Sequence, residues 1–221
     1  MWINPVFAET EPDALDRLVR DYSLATLIVE DPLRVAHVPL LLKRSLPSKS
    51  ADADRLELVG HIPLADPAAE AIQAGSRVLS IFQGATSYIS PAWYEQPGLP
   101  TYNFTVAHLA GPAVVMKDDD ALRAHLVDLI AHHEQIRRAQ GPVWTMDDTA
   151  HRRMDQLLPQ IIGFRVLVEE VEIKAKLGQN RSLEDQHSVA SCLWASGASA
   201  DHYLADQMHA AAKRRETPDA T

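Results

Sequence analysis

Cysteine is nearly missing from this sequence: Cys192 is the single one among 221 residues. It permits no disulfide within the chain, as expected for a protein of the reducing cytosol. Long hydrophobic runs are also missing, since the purest of them, Leu40 to Leu42 with its neighbours, is far shorter than the roughly 20 residues of a membrane-spanning helix. The start, Met1 to Pro5, lacks the basic and then apolar pattern of an export signal. We therefore expect a cytoplasmic protein that does not enter a membrane.

Glycine is sparse and widely spaced. The two nearest of the nine glycines are Gly75 and Gly84, nine positions apart. This spacing excludes both the G-x-G-x-x-G turn of dinucleotide-binding folds and the phosphate-binding P-loop. A bound nucleotide would instead be held by side chains and by strand or loop amides.

Positive charge is in deficit: 21 Lys and Arg residues face 30 Asp and Glu residues, for a net charge of −9. Such a surface is unsuited to nucleic-acid phosphates, and no helix-turn-helix signature is present. DNA binding, if any, is expected to be indirect or to use Lys213, Arg214 and Arg215. The alternative for these three cations is favourable charge at a helix C-terminus.

Catalytic signatures are absent as well. No G-x-S-x-G elbow exists, and Ser90 and His108 form no recognisable nucleophile arrangement. His132-His133-Glu134 cannot be a zinc-protease motif, because position 137 is Arg137 instead of histidine. We expect neither catalytic nor metal-binding residues, with the histidines solvated or capping on their helix.

Residue periodicity predicts a mixture of strands and helices in one domain over residues 1–196, followed by a fraying helical extension over 197–221. Helices are expected to begin at Thr10 and Asp13 (ending near Asp21), near Ala69 (stopped by Gly75), at Asp118, at about Asp147 and at Ser182. Strands are expected over 24–29 and 33–42, paired as a hairpin, and over 55–61, 77–82, 101–116 and 161–177, with 45–54 as a surface loop. Pro39 predicts that the run 33–42 lies on an edge or contains a bulge. In the last strand Val171, Ile173 and Ala175 should point inward.

The stretch from Phe82 to Gly111 is unusually rich in aromatic residues, prolines and polar side chains. Flat apolar faces with a few fixed donors suit a planar heteroaromatic ligand. The alternative is a long loop that its own aromatics hold in place. The segment from Lys174 to Arg181 adds three cations and two amides, which are either ligand contacts or an exposed strand end.

Several of these segments resemble one family. Phe82-Gln83-Gly84, Tyr88-Ile89-Ser90-Pro91-x-Trp93-Tyr94, Pro100-Thr101-x-Asn103 and the segment 174–181 occur in the order found in the PaiB-like family of FMN-binding negative transcriptional regulators. The resemblance spans about residues 2–193. It implies an α+β, mainly β fold, the FMN-binding split β-barrel with peripheral helices, which pairs into a homodimer with FMN where the subunits meet. The resemblance carries the cofactor-binding role to His37, His61, Gln83, Ser87, Tyr88, Ser90, Trp93, Thr101, Tyr102, Asn103, Lys176, Gln179, Asn180 and Arg181.

The chain departs from the family pattern at several positions. Leu64 replaces an arginine and Asp66 an asparagine, while Gly178, Tyr102 and Ala85 replace a serine, a tryptophan and a proline. Loss of a cation near a phosphate predicts that FMN is held weakly or has been lost. Three functions follow: a PaiB-like transcriptional regulator that binds FMN or a related planar ligand, a flavin-dependent oxidoreductase, or a binding module without flavin.

Overall fold

The computed structural model describes residues 1–9, 11–45 and 55–216. They form two compact units, each assembled from separate parts of the chain. The central unit comprises Ser23–Ile81 and Leu109–Val171; the terminal unit comprises Met1–Tyr22, Phe82–His108 and Glu172–Thr221. Each unit is described by itself below.

Eight strands and six α-helices are found in the described residues. The strands are β1 (Leu24–Val29), β2 (Arg34–Pro39), β3 (Leu41–Ser45), β4 (Arg55–Pro63), β5 (Arg77–Ile89), β6 (Thr101–Val115), β7 (Ile161–Leu167) and β8 (Glu170–Lys176). The helices are α1 (Ala14–Asp21), α2 (Ala69–Gln73), α3 (Asp119–Arg137), α4 (Asp148–Leu157), α5 (Leu183–Ala195) and α6 (Ser199–Glu216). Among them, no helix is long and apolar enough to cross a membrane.

The strands form one sheet in the order β2-β1-β5-β6-β7-β4-β3, and β8 pairs with β6. The predicted hairpin is confirmed, because β1 and β2 pair antiparallel with Thr26 opposite His37. Pro39 ends β2, which is the last strand of the order on its side. A proline is tolerated there because an edge position needs no second set of backbone hydrogen bonds.

In the central unit, β4 crosses the core at Gly60, a residue without a side chain. A Cβ atom at Gly60 would lie 2.4 Å from Cδ2 of Leu40 and 3.2 Å from Cζ of Phe164, two residues that are fully buried. Glycine thus leaves the space that these side chains fill, and close packing of this kind is what stabilises a core.

The single long strand predicted over 161–177 is wrong, because the chain changes its pairing partner in the middle. The N–H of Val168 donates to the Leu56 carbonyl, and the N–H of the next residue, Glu169, donates to the Ala110 carbonyl. The strand therefore divides into β7 and β8. Val171, predicted to point inward, is 44% exposed, Ile173 is half-buried, and Ala175 is buried.

The helix starts are confirmed, and all but one of the predicted capping side chains that the structure describes accept a backbone N–H. Side chains of Asp118, Asp147 and Ser182 each accept a backbone N–H at the start of α3, α4 and α5. Asp13 makes no such bond, because its carboxylate pairs with Arg17 instead. Thr10 lies outside the described residues, as does the predicted loop after Ser45 up to residue 54. Gly75 ends α2 with φ of 80°, as predicted.

The core of the terminal unit joins the helices α5 and α6 to the middle of the sequence. Leu193 of α5 and Leu204 and Met208 of α6 are buried against Ile89 and Leu177. Residues 199–216 form a regular helix, so the segment expected to fray carries part of this core. The boundary predicted after residue 196 remains a prediction.

Candidate functional site

Buried and more exposed side chains alternate along the first part of β6, and its polar side faces inward. Asn103 and Thr105 are buried, whereas Tyr102 is 57% exposed. The amide of Asn103 donates to Sδ of Met208 at 3.4 Å, so α6 holds this side chain in place. The strand thus presents aromatic residues outward and small polar residues inward.

A pocket of about 220 Å³ lies in the terminal unit where β6 begins and β8 ends, and we call it the polar pocket. Five of the residues predicted to bind a cofactor meet there. Its lining consists of Tyr94, Leu99, Pro100, Thr101, Asn103, Lys176, Gly178, Asn180 and Arg181. The structure therefore brings together the Pro-Thr-x-Asn motif and the cationic segment, which are far apart in the sequence.

Lys176 supplies a cation to the polar pocket. Its ammonium group donates to Oγ1 of Thr101. Burial, together with the nearby charge of Lys174, lowers the pKa of Lys176. An ammonium group has three N–H donors, so two of them remain for a ligand oxygen.

Arg181 is held by the loop that precedes β6. Its guanidinium lies 4.0 Å from the centre of the Tyr94 ring, and Nη1 donates to the Pro97 carbonyl at 3.3 Å. A Cβ atom at Gly98 would lie 2.0 Å from Nη2 of Arg181, so only glycine leaves room for this arrangement. Arg181 thus shapes the wall of the polar pocket as well as contributing charge.

Asp185 is a structural partner that the sequence analysis missed. It is 1% exposed, and its Oδ1 accepts the backbone N–H groups of Glu95 and Gln96 at 2.8 and 3.1 Å. This contact fixes the loop before β6 to the first turn of α5. Ser182 marks a helix start in the sequence, but the sequence does not show that Asp185, the third residue of α5, accepts hydrogen bonds from another loop.

Other predicted residues lie in the terminal unit without lining the polar pocket. The amide of Gln179 is used by the backbone, accepting from Leu177 N and donating to Ala175 O. Ser90 caps a short turn by accepting from Ala92 N, and Trp93 packs on the apolar core. Gln83 is exposed, and Ser87 donates to the carbonyl of its neighbour, Tyr88.

Tyr88 and Tyr102 form an exposed aromatic pair. Their ring centres are 5.8 Å apart at an interplanar angle of 74°, and the two residues are 47% and 57% exposed. Large exposed aromatics in contact with each other mark a surface suited to binding a planar group or a partner.

His37 and His61 belong to the central unit. His37 is exposed, with Nδ1 3.4 Å from Oγ1 of Thr26. His61 contacts His125 of α3, and burial lowers the pKa of both, that of His125 to about 4. The sequence analysis expected solvated or capping histidines on α3 and missed the burial of His125.

Two of the five departures from the family pattern, Leu64 and Asp66, also lie in the central unit. Leu64 is 44% exposed, and Asp66 accepts the N–H of Ala68 at 2.8 Å just before α2. An asparagine could make the same bond, so the acidic group is not needed for the turn. In the described residues, no group of three or more His, Cys, Asp or Glu side chains is placed to hold a metal ion.

An antiparallel sheet of this order with peripheral helices defines an α+β split β-barrel, and two solved structures have a similar fold. One is an FAD and heme binding protein from Mycobacterium smegmatis (TM-score 0.53, 17% identity, 77% of this chain and 73% of that chain). The other is a conserved hypothetical protein from Mycobacterium tuberculosis (TM-score 0.54, 13% identity, 80% of this chain and 91% of that chain). At these identities the likeness concerns the fold alone.

Sequence comparison gives the family. The chain belongs to the family described as "Putative FMN-binding domain", which matches residues 1–170. It is also 28% identical over 192 residues to the protease synthase and sporulation protein PAI 2 of Bacillus subtilis, covering 86% of this chain and 87% of that protein. The predicted fold class and the resemblance to PaiB-like proteins are thereby confirmed.

Proposed function

We propose that this protein is a homodimeric regulator of the PaiB type that binds FMN, with the polar pocket of one subunit and the Tyr88–Tyr102 pair of the other forming each site. The observation that carries the proposal is the convergence of Lys176, Thr101 and Asn180 in one pocket beside the buried Asn103. A bound flavin supplies a planar ring that can accept and donate electrons.

The donors present fit the polar end of FMN. An ammonium, a hydroxyl and two carboxamides line the polar pocket, together with the guanidinium of Arg181. Phosphate and ring carbonyl oxygens accept from such donors, and a charged donor makes the stronger bond. We assign Lys176 and Asn180 to the phosphate or to the polar edge of the ring.

The size of the polar pocket supports a site completed by a second subunit. Its volume of about 220 Å³ is below the roughly 300–1,000 Å³ of pockets that enclose a complete small ligand. Tyr102 lies between Thr101 and Asn103 on β6, so its ring points away from the polar pocket. A ligand held by one subunit's pocket would therefore meet the aromatic pair of another subunit.

A regulatory role rests on the relative from Bacillus subtilis, whose name refers to protease synthesis and sporulation. The acidic surface and the cations of α6 argue for an indirect effect on DNA. Arg214 lies 3.6 Å from the carboxylate of Glu11, and Arg215 donates to the Arg181 carbonyl at 3.0 Å. These arginines already have partners within the chain, which leaves them poorly suited to a DNA-binding arm.

Titration of FMN fluorescence against the purified protein tests the site. Lys176→Met should weaken FMN binding by about one to two decades, because a charge-assisted bond is lost. Lys43→Met removes an exposed ammonium of the central unit that pairs with Asp128, and should leave FMN affinity unchanged. Equal FMN affinity in Lys176→Met and the wild type would contradict the assignment of the polar pocket.

Two further measurements test the assembly and the role. Light scattering at micromolar concentration should give twice the mass of one chain, and a monomer would overturn the shared site.

A mobility-shift assay at physiological salt should show no tight, sequence-specific DNA binding by the protein alone. Such binding, if it survived Arg214→Ala with Arg215→Ala, would show that another surface recognises DNA directly.

A further inference from the structure

We infer that the terminal unit carries a second small-molecule site, separate from the polar pocket, which takes an organic amine with an apolar body. The site is a half-open cavity of about 420 Å³ bordered by α1, β6, β8 and α6, and we call it the α6 cavity. Its volume lies within the roughly 300–1,000 Å³ typical of pockets for small organic ligands.

The α6 cavity is not part of the proposed flavin site. It shares no lining residue with the polar pocket. Much of its wall comes from α6, which contributes no residue to the polar pocket. The α6 residues that line it are Tyr203, Asp206, Gln207, Ala210 and Arg214.

The inner wall of the α6 cavity is apolar. Leu18 of α1 and Ile173 and Ala175 of β8 line it, together with Leu177 just beyond β8. Such a wall binds a hydrocarbon or aromatic body by removing its apolar surface from water.

Two buried oxygen atoms at the α6 cavity lack hydrogen-bond partners among the described residues: Oγ1 of Thr105 and Oε1 of Gln207. Thr105 is only 7% exposed, so bulk water reaches it poorly. A buried polar atom normally has a hydrogen-bond partner, so these two atoms require one from outside the chain, which a ligand in the cavity would supply. The amide oxygen of Gln207 can only accept, so its partner must be a donor.

Charge at the mouth of the α6 cavity favours a cationic donor. Glu9, Glu11 and Asp206 contribute carboxylates there, against the guanidinium groups of Arg17 and Arg214. Both arginines are engaged by acids, Arg214 by Glu11 at 3.6 Å and Arg17 by Asp13. The lining thus carries three acidic side chains and two basic ones, and this excess of negative charge attracts an ammonium group while disfavouring a carboxylate.

Calorimetric titration of the 221-residue protein with 2-phenylethylamine tests this inference, with 3-phenylpropionate as the ligand of similar size and opposite charge. We expect saturable binding of the amine and binding of the carboxylate that is at least about fivefold weaker. Absence of saturable amine binding, or equal binding of both ligands, would overturn the proposal.

Variants place the amine within the α6 cavity. Ala210→Trp fills the space from an exposed position of α6 and should abolish binding of 2-phenylethylamine. Gln207→Leu removes the acceptor at similar volume and should weaken binding by about fivefold. Thermal melting by circular dichroism checks that both variants are folded. If both folded variants bound the amine as the wild type does, the ligand would lie elsewhere.

A control separates this site from the flavin site. Lys176→Met, expected to lose FMN, should bind 2-phenylethylamine with unchanged affinity, because Lys176 does not line the α6 cavity. Conversely, Ala210→Trp should retain FMN binding. Loss of amine binding in Lys176→Met would mean that the amine occupies the polar pocket, which would contradict a second site.

Discussion

Nδ1 of His61 lies 3.3 Å from Nε2 of His125, and the two ring centres are 5.4 Å apart. One of these nitrogens must donate and the other accept, so the contact requires a neutral acceptor ring. The pair joins β4 to α3 inside the central unit, where burial disfavours the charged form of each ring. After burial, the charges of His61 and Lys43 also lower the pKa of His125, whereas that of Asp128 raises it.

This pair predicts a loss of stability in mild acid. Burial lowers the pKa of His61, and it lowers the pKa of His125 to about 4. In the unfolded chain the two histidines bind protons near pH 6.5, whereas in the folded chain they bind them only at lower pH. The free energy of unfolding therefore falls as the pH falls from 6.5 towards 4. His125 alone should account for a loss of about 2 kcal/mol between pH 7 and pH 5.

Urea unfolding at several pH values measures this effect. His125→Gln should lower the stability at pH 7 but flatten its dependence on pH. His37→Gln, which changes an exposed histidine of the same unit, should keep the dependence of the wild type. An unchanged acid slope in His125→Gln would show that other groups control the acid response.

Gly111 should be the least replaceable glycine of the central unit. A Cβ atom there would lie 1.8 Å from the carbonyl oxygen of Leu167, and the backbone around this position is held by the β6 and β7 pairing. Gly111→Ala should therefore cost at least about 2 kcal/mol of unfolding free energy. Gly141→Ala is the matched control: an added Cβ would meet nothing within 4 Å, and its φ of 162° suits any residue. Chemical denaturation giving equal stability for both variants would contradict this account.

Asp185 should prove important for the loop that borders the polar pocket. Asp185→Ala leaves the N–H groups of Glu95 and Gln96 without their acceptor, which should cost about 2–3 kcal/mol. Asp185→Asn keeps an acceptor oxygen and should lose less than half as much. Urea denaturation compares the three proteins, and FMN titration should show weaker binding in Asp185→Ala. If the alanine variant were as stable as the asparagine variant, these two hydrogen bonds would contribute little.

Restoring the family pattern should strengthen FMN binding. Leu64→Arg with Asp66→Asn adds a cation and removes an acid, while the asparagine can still accept the N–H of Ala68. A charge-assisted contact contributes roughly 1.5–3 kcal/mol, so the FMN dissociation constant should fall several-fold or more in a fluorescence titration. Leu33→Arg, another exposed leucine of the central unit, controls for a general effect of charge. Tight FMN binding by the wild type with no gain in the double variant would show that residue 64 does not face the phosphate.

Local pattern predicted most elements of this fold, because the signals lie close together in the sequence. The acceptor side chains of Asp118 and Ser182 and the positive φ of Gly75 follow from neighbouring residues alone. The break between β7 and β8 does not follow from neighbouring residues. It arises because the N–H of Val168 donates to Leu56 whereas that of Glu169 donates to Ala110. These partners are far from Val168 in the chain, and alternation of side chains along a strand does not reveal them.

The candidate site was predictable to a similar extent. Lys176, Asn180 and Thr101 come from family motifs, and the structure places them in one pocket. Gln179 carries an equally polar side chain in the same motif, yet its amide is used by its own backbone. Asp185 and His125 were missed because their importance lies in tertiary contacts, and a carboxylate or an imidazole on a helix looks solvent-exposed from sequence alone.

The contact between Asn103 and Met208 affects the order in which parts of the chain fold during synthesis. The two residues are 105 positions apart, so the ribosome makes β6 well before the helix that covers it. Until α6 has emerged and packed, the amide of Asn103 lacks its partner and the apolar face of α5 is uncovered. A nascent chain can therefore form the β1–β2 hairpin early, whereas it acquires a mature polar pocket only in the last stage of its synthesis.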